Sequence, residues 1–339
     1  MTILVTGNLG YVGSVLTTFL AKNGLQISGL DSGLFMNCTT DNIQDIRTNL
    51  KDIRDVEISD LNNIKSIIHL ASLSNDPLGE VDQSVTHEIN FNATSRLAMI
   101  AKNCGVKKFI FISTQSVYGY SSSNELLDEL GPALNPQTAY AKSKRLAEED
   151  LLNVAAKNFQ IIILRPSTVF GWSPRLRTDI VFNNLLANGF FNKKIEIHSD
   201  GTPWRPVVHI KDLCRSIYFA LLADFDKEIF NIGMMNGNYQ IKELAEIAAN
   251  SLNVKNIYFN TENIVDSRSY RVNFERAYSH LKFRANTSLE TGAAEIIEKL
   301  VGGNFVKNDF LGARTTRLKH LNNLITEGVI SDDLRFKRI

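Results

Sequence analysis

Ile3-Leu4-Val5-Thr6-Gly7-Asn8-Leu9-Gly10-Tyr11-Val12-Gly13 runs from a short apolar strand through a TGxxGxxG loop into an amphipathic stretch. Each glycine has its own physical reason there. Gly7 permits the tight turn out of the strand. Gly10 lets the backbone approach a pyrophosphate, whose charge the following helix N-terminus stabilises, and Gly13 lets helix and strand pack closely. Three glycines alone are weak evidence, but these sit directly after a strand and before a helix, which is the required context. The loop predicts a dinucleotide-binding unit, with Leu9, Tyr11 and Val12 at the cofactor beside the glycines. Asp31 ends the second strand about twenty residues on, where a carboxylate accepts from the adenosine ribose hydroxyls and repels a 2′-phosphate. That favours NAD over NADP. Asp52 and Ile53 follow a short third strand and are expected to flank the adenine.

Outward from this loop the pattern repeats. Apolar runs at 3–5, 26–31, 66–71, 108–114 and 161–166 alternate with amphipathic stretches at 10–23, 84–104 and 137–158. Strand, helix, strand in this order implies an α/β fold of Rossmann type, a doubly wound parallel sheet with helices on both faces. IIHLA and FIFIS are continuously apolar, as buried parallel strands are. After Arg165 the loops gain Pro, Gly and Trp (FGWSPR, SDGTPWRP). The expected division is an NAD-binding domain at 1–172 and about 204–226, the latter returning as a strand and a helix. A smaller substrate-binding lobe at 173–203 and 227–304 would lie over the sheet's carboxyl edge. A charged, helical tail at 305–339 has no readable role.

The 339 residues are 44% hydrophobic, enough for a large core. Lys+Arg is 37 and Asp+Glu 36, so no basic excess points to nucleic acid. Cys38, Cys104 and Cys214 are too widely spaced for a disulfide framework or zinc cluster and fit a reducing compartment. His69, His87 and His209 are not spaced as metal ligands, so no metal is expected and they read as structural. The first residues lack the charged and apolar regions of a signal peptide, and no segment is long and apolar enough to span a bilayer. The expectation is a soluble cytoplasmic protein without a membrane partner.

Tyr140-Ala141-Lys142-Ser143-Lys144 lies near the start of the stretch at 137–158. Tyr140 and Lys144 are four apart and share a helix face. A free tyrosine titrates at about 10. A neighbouring ammonium and an oxidised nicotinamide both favour tyrosinate, which makes Tyr140 a usable base near neutral pH. A chance YxxxK on an exposed helix is common, so the motif alone says little. Ser113-Thr114-Gln115-Ser116-Val117-Tyr118-Gly119 ends the fifth strand. Open parallel sheets bind ligands at the carboxyl ends of their strands. That places Thr114 to hydrogen-bond the oxygen that Tyr140 deprotonates.

Taken in order, TGxxGxxG, Asp31, HLA ending at Ala71, Asn90-Phe91-Asn92-Ala93-Thr94, STQSVYG, YAKSK and Arg165-Pro166 form a recognisable series. The chain resembles the NAD-dependent epimerase/dehydratase family of extended short-chain dehydrogenases/reductases, enzymes of nucleotide sugars, over roughly residues 1–300. The resemblance implies that Tyr140 is the catalytic base, that Lys144 orients the nicotinamide ribose and that Thr114 stands for the usual Ser or Thr. Asn90 would stabilise the active-site helix and count among the cofactor residues, with Leu70, Ala71, Ser72 and Pro166. Trp204-Arg205-Pro206-Val207-Val208-His209-Ile210-Lys211-Asp212 resembles the family's RDxxHVxD segment. It makes Arg205 a diphosphate ligand, with Arg268 as a second, since a guanidinium fork suits phosphate. Ser74, Gln115, Ser116, Thr168, Arg175 and Arg177 are the remaining expected substrate contacts.

Two departures stand out. Members that dehydrate a hexose carry an acidic pair where this chain has Gln115 and Ser116, neither of which can act as an acid, so dehydration is disfavoured. Ala93 replaces a common Gly, a change that carries no reading. The expected function is an NAD-retaining nucleotide-sugar epimerase, with a nucleotide-diphosphate sugar as substrate and a homodimer as assembly. A net oxidoreductase on the same substrates is the alternative. A non-catalytic NAD-binding regulator is the third reading, against which the intact Thr114, Tyr140 and Lys144 argue.

Overall fold

A computed structural model describes residues 2–121, 125–131, 134–261, 268–302 and 305–337. The chain opens with β1 (Thr2–Thr6), α1 (Tyr11–Lys22), β2 (Gln26–Asp31) and β3 (Thr48–Leu50). Next come β4 (Ile64–His69), the short helices α2 (Asp76–Gly79) and α3 (Gln83–His87), a wide helical turn at Glu88–Asn92, and α4 (Ala93–Asn103). β5 (Lys108–Ile112), α5 (Ala139–Val154), β6 (Gln160–Pro166) and β7 (Thr168–Phe170) follow. The second half carries α6 (Val181–Asn192), β8 (Ile195–Ile197), β9 (Trp204–His209), α7 (Ile210–Leu222), β10 (Lys227–Ile232) and β11 (Asn238–Gln240). It closes with α8 (Ile241–Leu252), β12 (Ile257–Phe259), α9 (Glu275–Ser279), α10 (Leu289–Val301) and α11 (Arg317–Thr326).

Seven strands form one parallel sheet in the order β10-β6-β5-β4-β1-β2-β3. Side chains alternate across a strand, and here both alternating sets are buried. Leu4, Ile67, Phe109 and Ile161 face α4 and α5, whose Leu97, Ala101, Ala147 and Leu151 cover them. Ile3, Val5, Ile68, Ile110 and Ile162 face α1 and α7, through Leu16, Leu20, Leu213 and Ile217. Helices on both faces are why these strands read as unbroken apolar runs.

The smaller lobe has its own core, built from α6, α8, α10 and β8 around Phe182, Leu186, Leu244, Ala248 and Ile296. It carries a three-stranded sheet, β11-β9-β7, and a two-stranded one, β12-β8. Three segments depart from the expected division. Residues 227–232, expected in the lobe, form β10 and pair in parallel with β6 at the edge of the large sheet. They complete that sheet because Phe230 and Ile232 join the core under α7. β9, expected in the large sheet, instead pairs with β7 and β11, and only α7 returns to the large unit. Ala277, Leu281 and Phe283, also expected in the lobe, pack in that same α7-side core.

The tail is part of the globule. Leu321, Ile330 and Leu334 are buried in the core that contains Leu4 and Ile67. Arg335 also pairs with Asp55. Among the described residues no helix is long and apolar enough to cross a membrane.

Candidate active site

The carboxyl ends of β1, β4, β5 and β6 open on a single cavity of about 1430 Å³. Sites for one small molecule usually hold about 300–1,000 Å³, so there is room for two ligands end to end. Gly7 has φ 72°, a left-handed value natural only to glycine, and a Cβ on it would stand 2.7 Å from the Ala71 nitrogen. A Cβ on Gly13 would stand 2.1 Å from the Gly7 oxygen. Gly10 is the N-cap of α1, with no side chain bonded to the free backbone N–H groups and no acidic residue in the first turn. An uncapped helix start opening on a cavity is a place for an anion. Gly7, Gly10, Tyr11, Val12 and Gly13 line this end.

Leu9 does not line the cavity. Its backbone N–H donates to Asp31 Oδ2 at 3.0 Å, while the Gly33 N–H donates to Oδ1 at 2.9 Å. Asp31 is thereby fixed facing the cavity; burial pushes its carboxyl up from the usual range, and the two backbone donors pull against that. Asp52, Ile53, Leu70, Ala71 and Ser72 line the same wall, and Pro166 lies at the end of β6. Asn90 is the second correction. It is fully buried, accepts from Leu73 N–H at 2.8 Å and donates to the Leu73 carbonyl and to Ser143 Oγ (3.1 and 3.2 Å). It clamps the loop after β4 onto α5 and does not reach the cavity.

Tyr140 lies in the first turn of α5 and Lys144 one turn on, both lining the cavity with Thr114 from the end of β5. Thr114 Oγ1 accepts the Ser116 N–H at 3.1 Å, and Thr114 and Tyr140 line the same cavity. Lys144 Nζ donates to the Ile112 carbonyl at 2.9 Å and sits 4.6 Å over the Phe111 ring; burial brings it down to about 7. Tyr140 is pushed up to about 12, first by burial and then by the Asp76 carboxylate, against the Thr114 hydroxyl and the guanidinium groups of Arg177 and Arg268. Lys144, with its Nζ on the Ile112 carbonyl, is not among the groups that move Tyr140 most.

Beneath these residues lies a fully buried pair. Arg165 Nε and Nη2 donate to the two Glu148 carboxylate oxygens at 2.9 and 2.6 Å. Ser113 Oγ donates to the same carboxylate at 2.5 Å, and Arg165 Nη1 donates to the Tyr118 hydroxyl at 3.1 Å.

Of the expected substrate contacts, Ser74, Ser116, Thr168, Arg177, Arg205 and Arg268 line the cavity. Gln115 does not: its amide donates to the Arg165 carbonyl at 3.0 Å inside the core. Nor does Arg175, whose Nη1 donates to the carbonyls of Phe35 (2.6 Å) and Met36 and so braces the loop after β2. Arg177 is held by Asp179 (2.8 and 2.9 Å) and donates to Ser74 Oγ at 2.9 Å. Arg268 donates to Ser116 Oγ at 2.8 Å and pairs with Asp76. The loop at 74–79 after the fourth strand is expected from the sequence to face the sugar, with no role for Asp76 itself, and no motif marks Glu148 or Asp179. Among the described residues no three His, Cys, Asp or Glu side chains gather as a metal site.

Residues 3–233 match the profile described as the NAD dependent epimerase/dehydratase family. The chain is 30% identical over 283 residues to a dTDP-D-glucose 4,6-dehydratase of Dictyostelium discoideum, a match covering 74% of this chain and 62% of that enzyme. MoeE5, solved in complex with UDP-glucuronic acid and NAD, superimposes with a TM-score of 0.78 at 27% identity, covering 89% of this chain and 99% of that one. The UDP-glucuronic acid 4-epimerase from Bacillus cereus, solved with UDP-glucuronic acid and NAD, gives 0.77 at 25% identity, covering 89% and 99%.

Proposed function

The chain belongs to the NAD dependent epimerase/dehydratase family, and from that premise we propose that it is an NAD-dependent nucleotide-sugar epimerase. The observation that carries this reading is that Thr114, Tyr140 and Lys144 line one cavity together with the glycine loop and with Arg205 and Arg268. The large sheet unit holds NAD, with the N-terminus of α1 on the pyrophosphate and Asp31 on the adenosine ribose. Arg205 and Arg268 hold the diphosphate of the sugar nucleotide. NAD supplies a hydride acceptor and a positive nicotinamide charge. Lys144 turns to the nicotinamide ribose, and Thr114 and Tyr140 share the sugar hydroxyl. With NAD bound as the hydride acceptor, Tyr140 would take the proton of that hydroxyl and so allow its carbon to be oxidised to the keto sugar. The sugar then turns, or its neighbouring carbon loses and regains a proton, and both hydrogens return.

Some relatives are dehydratases. Gln115 is turned into the core and Ser116 is held by Arg268, so neither position offers a proton donor, which favours epimerisation. The three free cysteines support a cytoplasmic setting. Exposed Met99 on α4 and Leu146 on α5, helices packed side by side, support a homodimer.

The test is to denature the purified protein, measure released NAD and NADH, and incubate the native protein with UDP- and dTDP-hexoses. Retained cofactor and an isomerised sugar without net change at 340 nm are expected. Dependence on added NAD with net NADH formation would support the oxidoreductase instead. A protein that binds NAD and converts none of these sugars would overturn the epimerase reading.

A further inference from the structure

Asp76 stands where three parts of the site meet. Asn75, just before it, has φ 98° and ψ 162°, a region that almost only glycine visits. The Asn75 side chain accepts the Leu78 N–H at 3.2 Å, which starts α2 and turns Asp76 toward the cavity it lines. One Asp76 oxygen accepts from the hydroxyl of Thr138, the N-cap of α5 two residues before Tyr140. The other pairs with Arg268, across the cleft from the segment before α9. α2 presses on the catalytic helix: a Cβ on Gly79 would lie 2.9 Å from that of Tyr140, and Glu80 accepts the Ala139 N–H at 2.8 Å.

We propose that Asp76 is a positioning residue that couples the diphosphate end of the site to Tyr140, holding Arg268 until a nucleoside diphosphate takes the guanidinium over. The proposal rests on the nucleotide-sugar reading of the site. A diphosphate is a stronger anion than one carboxylate, and a guanidinium has five donors with which to change partners. The Arg268 backbone stays fixed during the exchange, because the Arg205 guanidinium donates to its carbonyl. The hand-over leaves Asp76 facing Tyr140 without its cation.

The charged groups that bear on Tyr140 are Asp76 on α2, Arg177 before α6 and Arg268 before α9, while Lys144 on its own helix is bonded to the Ile112 carbonyl. Moving Arg268 away strengthens the carboxylate's preference for a protonated phenol. Tyr140 is then held more firmly as the phenol in the loaded site. Filling the nucleotide end is thus felt at the first turn of the catalytic helix.

The experiment titrates UDP, and inorganic pyrophosphate as a base-independent probe, against native protein, Asp76→Asn, Asp76→Ala, Arg268→Ala and Asp76→Asn/Arg268→Ala. Removing the competing carboxylate should tighten both ligands about 3–10-fold, and the gain should vanish without Arg268, the mark of a coupled pair. The limb of the kcat–pH profile that reports Tyr140 should move down by about one pH unit in Asp76→Asn. Asp76→Ala, which also strips Thr138 of its acceptor, must show the same tightening if Asp76→Asn folds poorly. Equal affinities in native and Asp76 variants would overturn the proposal, as would a tightening that persists without Arg268. A native protein that binds neither ligand would overturn the nucleotide-sugar reading along with it.

Discussion

A phenol held near 12 by burial and an adjacent carboxylate is a poor base until a cation reaches it. Tyr140→Phe removes only the hydroxyl, so folding and NAD content should survive while turnover falls about 10²–10⁴-fold. Stopped-flow reduction of bound NAD by substrate would show it, and near-native turnover would end the mechanism. His69 makes the opposite kind of statement. It is fully buried; the Thr94 hydroxyl donates to the Asn90 carbonyl, so His69 Nε2 donates to Thr94 at 2.8 Å and Nδ1 accepts from Thr6 at 2.7 Å. Burial lowers this imidazole from 6.5 to about 3. The unfolded chain therefore binds a proton that the native one refuses. The stability from neutral His69 is complete above pH 6.5 and is lost as pH falls toward 3, by up to about 1.4 kcal/mol per unit. Urea midpoints at pH 7 and 5 should diverge less in His69→Asn than in the native protein. At this scale legibility was uneven. Residues fixed to a strand end or a helix's first turn, such as Asp31, Thr114 and Tyr140, line the cavity as their spacing implied. Gln115 and Arg175 looked equivalent to Ser116 and Arg177, but the path of a loop decides which of two near neighbours turns inward, and composition does not carry that path. Asp76 needed a partner far along the chain to become visible.

α5 shows how one helix organises the site. Tyr140, Lys144 and Glu148 recur every fourth residue and so share one face. The first two meet the cavity, and the third is locked to Arg165 at the end of β6. Removing one partner strands the other's charge in the core, which costs about 3–5 kcal/mol. Glu148→Gln should therefore lower the denaturant midpoint sharply, whereas an Arg165–Glu148 bond that only decorates the site would leave it unchanged. The strands beneath were readable because both faces are apolar. β10 was not, because its sequence follows α7 in a region where loops and short strands had already broken the rhythm, and sheet membership depends on pairing with β6, not on local pattern. β9 failed for the converse reason: a buried strand looks the same whichever sheet it joins.

Across the whole molecule, the tail sets the boundary between what pattern and what packing reveal. Its charge and helical period were visible in the sequence; its partners were not, since they lie more than a hundred residues back along the chain. Thr315 bonds Thr178 at 2.8 Å, Arg317 donates to the Arg175 carbonyl at 2.7 Å, and Leu321 is fully buried among residues of the first half. Phe310, Leu311 and Arg317 also line the cavity. Leu321→Ala should cost about 2–5 kcal/mol, like other buried leucines, and should speed the loss of bound NAD. A calorimetric melt with the free NAD in the supernatant would measure both, and an unchanged melt would mean the tail only rests on the surface. Its position also has a consequence for synthesis. Leu4 and Leu334 belong to one core, and ribosomes add about 5–20 residues each second. The nascent chain therefore waits on the order of 15–60 s between making the first apolar residue of that core and the last. For that interval a growing polypeptide exposes an apolar face of the kind that chaperones cover, until its last strap arrives.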